Sequence, residues 1–217
     1  MHLHKTAGES IAATLAPVLV AGDEVVKGSP PPDAAGGVLG KHSTAREARD
    51  VLGIDRWERY FTFSFVRHPI DRTLSLYRYI ARLAESPKPT LGQRLGLRQV
   101  PSGAGRERWP EMRAYRDTDS LSEFIRHPLM EHAVAMRPQA TSLGDDHGDL
   151  LVDYVGRFER LAPDVAHVQR TLGLPETPLR SLNISPRGRH PGELTREDRE
   201  YLASRFEEDF VRFGYAP

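Results

Sequence analysis

The sequence predicts an α/β domain built on a parallel sheet with helices on both faces, and two observations predict it. Strand-like runs alternate with stretches of helical periodicity, the pattern of parallel strands joined by helical crossovers. The 217 residues are enough for one sizeable core and few for two, so a single domain spanning 1–217 is expected. In such a sheet ligands sit beyond the carboxyl ends of the strands.

Taken in order, Met1 to Ser10 reads as a very short strand, a turn of small residues and the start of a helix that passes through Ile11 and Leu15 until Pro17 stops it. Residues 28–40, with Pro30, Pro31, Pro32 and four glycines, read as an exposed connection. Thr44 and Glu47 stand at capping-box spacing, so a helix is expected from there to about Leu52, with Lys41, His42 and Ser43 at its lip. Phe61 to Val66 alternates aromatic with smaller residues as a strand does, and Arg67-His68-Pro69 ends it. Pro69 suits the first turn of a helix whose apolar stripe is Ile70, Leu74, Tyr77, Ala81 and Ala84, which turns Arg72 and Ser75 elsewhere.

Residues 85–116 are expected to form a basic, irregular insertion. From Arg82 to Arg116 there are eight basic residues against three acids, with Pro87, Pro89, Pro101 and Pro110 among them. Leu150 to Phe158 reads as another core strand, followed by a helix entered at Pro163 and closed by Gly173. Thr195 and Asp198 again have capping spacing, and Leu202, Phe206, Phe210 and Phe213 then form the stripe by which a C-terminal helix docks on the core.

Composition excludes several classes of partner. Lys plus Arg and Asp plus Glu balance at 30 each, which argues against a protein made for nucleic acid or an anionic membrane surface. Any anion site must be local. With no cysteine there is neither a disulfide framework nor a thiolate metal site, and no apolar run reaches the length of a membrane span. A soluble, cytoplasmic protein without integral membrane contact is expected.

The turn after the first strand is where a parallel sheet binds phosphate, because free backbone N–H groups and the helix dipole converge there. Lys5, Thr6, Ala7, Gly8, Glu9 and Ser10 occupy that turn. Ala7 and Gly8 let the backbone approach an anion, Lys5 brings a mobile charge and Ser10 a hydroxyl donor. An ordinary small-residue turn with an exposed lysine fits the same residues. The spacing departs from the Walker pattern, whose lysine follows the glycines and directly precedes Ser or Thr. After the strand expected at Phe61 to Val66, Arg67 stands at the carboxyl end, where it can fork onto a phosphate, and Ser75 lies on the helix that follows.

These two motifs together resemble the sulfotransferases that use 3'-phosphoadenosine-5'-phosphosulfate (PAPS), in the branch that includes Golgi carbohydrate sulfotransferases and soluble bacterial relatives. The resemblance extends through Arg137-Pro138-Gln139, Val155 to Glu159, Leu182-Asn183-Ile184-Ser185 and Phe213-Gly214-Tyr215. It implies a P-loop-NTPase-like three-layer fold, a first loop that holds the 5'-phosphosulfate, and Arg67 with Ser75 on the 3'-phosphate. Arg187 and Arg189, with Gly188 and His190, resemble the late basic loop that closes over the nucleotide, and a surface turn is the alternative. His42, in Lys41-His42-Ser43-Thr44, resembles the family's catalytic histidine. Glu9 stands where the family more often has Thr or Ser, and a carboxylate there must point away from a phosphosulfate.

The expected reaction is therefore sulfuryl transfer from PAPS to a hydroxyl of a carbohydrate or glycosylated small molecule, with His42 as base, Lys5 on the bridging oxygen and no metal. His4 competes with His42 for the role of base. His2 and His4 could also pair on a metal, but no third ligand is evident, and packed or solvated rings are the plainer alternative. A P-loop-like small-molecule kinase and a nucleotide-binding module without turnover are the rival functions.

Overall fold

The computed structural model describes residues 1–20, 26, 38–85, 106–179 and 194–217. Most of the connection expected at 28–40, residues 86–105 of the expected insertion, and the segment holding Asn183, Arg187, Gly188, Arg189 and His190 lie outside the described residues. Two compact units are formed. One comprises Met1–Arg72, Arg137–Ile184 and Leu202–Pro217, the other Thr73–Met136 and Ser185–Tyr201.

The first unit is built on a parallel pair, β1 (Phe63–Val66) and β2 (Tyr154–Arg157), in the register Phe63 to Tyr154 and Val66 to Arg157. Among the described residues these two strands are the whole sheet. The strand expected at the first residues does not form a ladder. Instead the Met1 ammonium donates to the Phe63 carbonyl at 2.7 Å and Ser64 Oγ donates to the Met1 carbonyl at 3.3 Å.

Neighbours on β1 point to opposite faces, and both faces are covered. Val66 packs with Leu3, with Ala45 and Ala48 of α2 (Ala45–Leu52), with Trp57 of α3 (Ile54–Trp57), and with Ala140 and Leu143 of a further short helix. Phe65 packs with Ile11 of α1 (Gly8–Leu15) and with Val165 and Val168 of a helix after β2. The α/β character expected from the sequence is thus present in the mixed helix and strand content and the parallel pairing.

Caps fix where the helices begin. Thr44 Oγ1 accepts from the Glu47 N–H at 3.1 Å while the Glu47 carboxylate accepts from the Thr44 N–H at 2.7 Å, the reciprocal capping box of α2. Thr195 and Asp198 repeat it at the start of the C-terminal helical segment.

Helix α4 spans Pro69–Glu85, and its most buried residues are Ile70, Arg72, Thr73, Leu76 and Ile80. The observed stripe is rotated from the expected one, and Arg72, expected to face elsewhere, is only 3% exposed. In the second unit α5 (Pro110–Arg116) buries Met112 and Ala114, so the end of the expected irregular insertion is a helix. Proline at its first position and a buried methionine on one face account for that. Helices α6 (Leu121–Arg126) and α7 (Pro128–Glu131) follow, with Tyr77 packed edge-on against Phe124.

The remaining α-helices among the described residues are α8 (Gln139–Leu143), α9 (Leu161–Thr171), α10 (Arg196–Arg205) and α11 (Glu207–Phe213). The single C-terminal helix expected is divided at Phe206, whose backbone leaves the helical region at φ −112° and ψ 24°. Leu202, Phe206, Phe210 and Phe213 are nonetheless all buried, as the stripe requires. No described helix is long and apolar enough to cross a membrane.

Gly156 of β2 lies against the ring of Phe65, where an added Cβ would come within 2.5 Å of a ring carbon. Gly156→Ala should therefore overpack the sheet and lower stability by about 1–3 kcal/mol in urea unfolding. An unchanged midpoint would mean that Phe65 has room to move.

Candidate active site

The turn between Leu3 and α1 is held in an unusual backbone conformation. Lys5 and Ala7 both have φ 65°, the left-handed region that non-glycine residues occupy at a cost of about 1 kcal/mol or more each. Thr6 between them is 1% exposed, and its Oγ1 donates to the Leu3 carbonyl at 3.0 Å, closing the turn. This hydroxyl faces inward. Gly8 opens α1, and a Cβ there would overlap the imidazole of His2. No side chain caps α1, whose first helical bond runs from Ile11 N–H to the Ala7 carbonyl at 3.1 Å. An uncapped first turn beside a lysine is an arrangement that can hold a phosphate or sulfate group.

His42 comes to this loop from a tight turn ahead of α2, in which the Gly40 N–H donates to Ser43 Oγ at 2.9 Å and the Ser43 N–H to the Gly40 carbonyl at 3.1 Å. Its Nδ1 lies 2.9 Å from the His2 carbonyl oxygen. A carbonyl can only accept, so Nδ1 carries the proton and Nε2 holds the lone pair. The His42 ring stacks on His4 with centroids 3.5 Å apart and stands 4.9 Å from the His2 ring. The three histidines named in the sequence thus form one cluster. Among the described residues no group of three His, Asp or Glu side chains is arranged to hold a metal.

Burial shifts all three toward the neutral form. It lowers His42 below its ordinary value of 6.5, with the bond to His2 opposing the shift. Burial, and next the neighbouring His42, lower His2 to about 3 and His4 to about 2. Glu9 is turned outward and paired with Lys41, the residue before His42, and that hydrogen bond holds its carboxyl below the usual range. The carboxylate that the sequence left without a direction is therefore directed at a lysine.

Arg67 follows β1, and its backbone is clamped by a side chain. Gln139 Oε1 accepts from the Arg67 N–H at 2.9 Å while Gln139 Nε2 donates to the Arg67 carbonyl at 2.8 Å. Gln139 Nε2 also donates to Asp209 Oδ2 at 3.2 Å, and Asp209 Oδ1 accepts from the Ala140 N–H at 2.7 Å. The Arg67 guanidinium lies 4.0 Å over the ring of Phe158, and its Nη1 donates to the Lys5 carbonyl at 3.4 Å. Arg67, Lys5, the loop and His42 are therefore brought together within the first unit. Ser75 is half-buried on α4 among the residues of the second unit. Arg187 and Arg189 lie outside the described residues.

Sequence reasoning did not assign Gln139, Phe158, Asp209 or the Lys41–Glu9 pair. Gln139 and Phe158 lie in segments that carry the resemblance, and a further signal was an acid, Asp209, three residues after Phe206 on an otherwise apolar stripe.

The Sulfotransferase family model matches residues 36–216, most of the chain. The chain belongs to the sulfotransferase family. No curated protein and no solved structure matches it. As a sulfotransferase it is a transferase of sulfuryl groups, and the match takes in His42, Arg67, Ser75 and Gln139. It begins after the loop of Lys5 to Ser10, which stands on its own geometry in this sulfotransferase.

The depressed values of His2 and His4 give a signed prediction. Unfolded histidines titrate near 6.5, so below that pH the unfolded chain binds more protons than the folded one. The stability these residues contribute is whole above pH 6.5 and is lost as pH falls from there toward 3. Urea unfolding should show a decline of up to about 1.4 kcal/mol per pH unit for each histidine. His4→Phe, which keeps a ring and cannot protonate, should flatten the decline; an unaltered slope would show that His4 is not the residue being charged.

Proposed function

We propose that this sulfotransferase moves the sulfuryl group of PAPS onto a hydroxyl of a carbohydrate or glycosylated small molecule, as the carbohydrate branch and its soluble bacterial relatives do. The reading takes residues 1–217 as one sulfotransferase domain of the P-loop-NTPase-like, three-layer kind. It is supported by the family match and by the helices on both faces of the parallel pair. The observation that carries it is the bond from His42 Nδ1 to the His2 carbonyl, which leaves Nε2 unprotonated on the histidine that the resemblance makes the base.

Transfer is in-line: a bond forms between the acceptor oxygen and sulfur as the bond from sulfur to the bridging oxygen breaks, and 3',5'-adenosine bisphosphate leaves. The acceptor's proton passes to His42 Nε2. Lys5 neutralises the charge that grows on the bridging oxygen, where it helps the transition state more than the bound state. The backbone N–H groups of Thr6, Ala7, Gly8, Glu9 and Ser10 hold the phosphosulfate. Arg67 takes the 3'-phosphate through its planar fork of donors, and the resemblance adds Ser75, Arg187 and Arg189 as further contacts. No step calls for a metal.

Two measurements test this. Calorimetry should show 3',5'-adenosine bisphosphate binding more tightly than AMP, and Arg67→Ala should weaken the bisphosphate by about 1.5–3 kcal/mol, the scale of a charged hydrogen bond. Equal affinities in the parent would remove the 3'-phosphate site, and tighter binding of ATP would favour a kinase.

His42→Ala should keep nucleotide affinity and slow single-turnover sulfation roughly 100- to 10,000-fold. The acidic limb of the parent's rate profile should lie below pH 6.5, because burial lowers the His42 value. Normal turnover in His42→Ala with loss in His4→Ala at unchanged affinity would make His4 the base.

A further inference from the structure

We propose that Gln139 is the positioning residue that aims Arg67 at the donor's 3'-phosphate. This rests on the reading of Arg67 given above and extends it to a residue that touches no substrate. The β1–β2 ladder ends at Val66 and Arg157, so Arg67 is the first residue past it and the last before the chain turns toward Pro69. There Gln139 pairs the backbone N–H and C=O of Arg67 at once, at 2.9 and 2.8 Å.

Its own amide is held in turn. Gln139 is 0% exposed, and its nitrogen bonds Asp209, which is also 0% exposed and grips the Ala140 N–H with its other oxygen. The amide cannot flip without losing all three bonds, because its oxygen would then face the Arg67 carbonyl and the Asp209 carboxylate. The root of the Arg67 side chain is thereby fixed, and Phe158 at 4.0 Å supports its far end. A guanidinium binds a phosphate well only when its planar fork is presented in one orientation. The Gln139 clamp supplies that orientation at its backbone end.

The test separates aim from folding by comparing two ligands. Dissociation constants for 3',5'-adenosine bisphosphate and for AMP are measured by calorimetry on the full chain, for the parent, Arg67→Ala, Gln139→Met and the double variant. Gln139→Met keeps the volume of the side chain and removes its bonds. Arg67→Ala should weaken the bisphosphate roughly 10- to 100-fold, and Gln139→Met about 3- to 10-fold, with AMP unchanged by either. In the double variant Gln139→Met should add nothing to the loss of discrimination, because no guanidinium is left to aim.

The ratio of the two affinities is taken on one sample, so a partly unfolded fraction cancels from it. If Gln139→Met does not fold at all, Gln139→Asn, which keeps the amide and shortens its reach, takes its place with the same expectation. A parent that does not discriminate between the ligands overturns the reading of Arg67, and the role of Gln139 with it. A parent and Arg67→Ala that behave as expected, beside a Gln139 variant that keeps the full ratio or weakens both ligands equally, overturns the role of Gln139 alone.

Discussion

Asp209 has no exposure to solvent, and the first unit is arranged around the requirement that its carboxylate be satisfied. An ionised group in such a place costs several kcal/mol unless opposite charge and hydrogen bonds compensate it. The compensation comes from three directions: the Ala140 N–H at the start of α8, the Gln139 amide, and the Arg72 guanidinium at 4.0 Å. Arg72 is itself buried, donates to the Arg137 carbonyl at 2.9 Å and lies 5.1 Å over the Phe206 ring. Burial pulls its value down to about 10, which leaves it charged at neutral pH. The end of β1, the start of α4, α8 and α11 are thus tied to one anion. Loss of any partner would leave a buried charge, whereas each apolar contact in the same core can be weakened by degrees.

Strain accumulates at the opposite end of the same assembly. Two left-handed non-glycine residues in three positions are unfavourable, and the turn persists because its surroundings fix it: Thr6 bonded to Leu3, the Lys5 carbonyl bonded to Arg67, and His2 packed against Gly8. The bond from Arg67 to Lys5 joins the strained loop to the Asp209 network through Gln139. A rigid, charged network and a strained, anion-competent turn are therefore one connected structure. Strain of this kind is retained where the conformation serves a purpose that a relaxed turn would not.

The parts legible in the sequence are those governed by local physics. The capping boxes at Thr44 and Thr195, strands β1 and β2, the helix after Pro163 and the stripe of Leu202, Phe206, Phe210 and Phe213 all depend on residues within a turn or two of each other. The parts that were not legible depend on tertiary partners. Arg72 reads as a surface residue until Asp209 is opposite it, and the stripe of α4 is displaced accordingly. Glu9 has no direction until Lys41 is beside it, and Gln139 is an ordinary polar residue until the edge of β1 needs a partner. The histidines were visible as three candidates. Their mutual arrangement, His4 stacked on His42 and His42 bonded to the His2 carbonyl, depends on the fold and could not be read from the sequence.

On the proposed reading His42 is the base, and the burial that keeps it neutral also makes it a weaker one. Lowering its value keeps the imidazole neutral over a wider range of pH, but reduces the driving force for taking a proton from a hydroxyl, whose own affinity for it is far higher. A weak base can deprotonate an alcohol only after bond formation to sulfur has begun to drain charge from the oxygen. The proton must then move late, and the early part of the barrier must be met by geometry: the acceptor held in line, and Lys5 and the amides of α1 placed where charge appears on the leaving side. On the proposed reading, the rigidity conferred by Asp209 and the strain at Lys5 and Ala7 are what such a mechanism needs. They fix charge before the reaction starts, in a site whose base contributes position more than proton affinity.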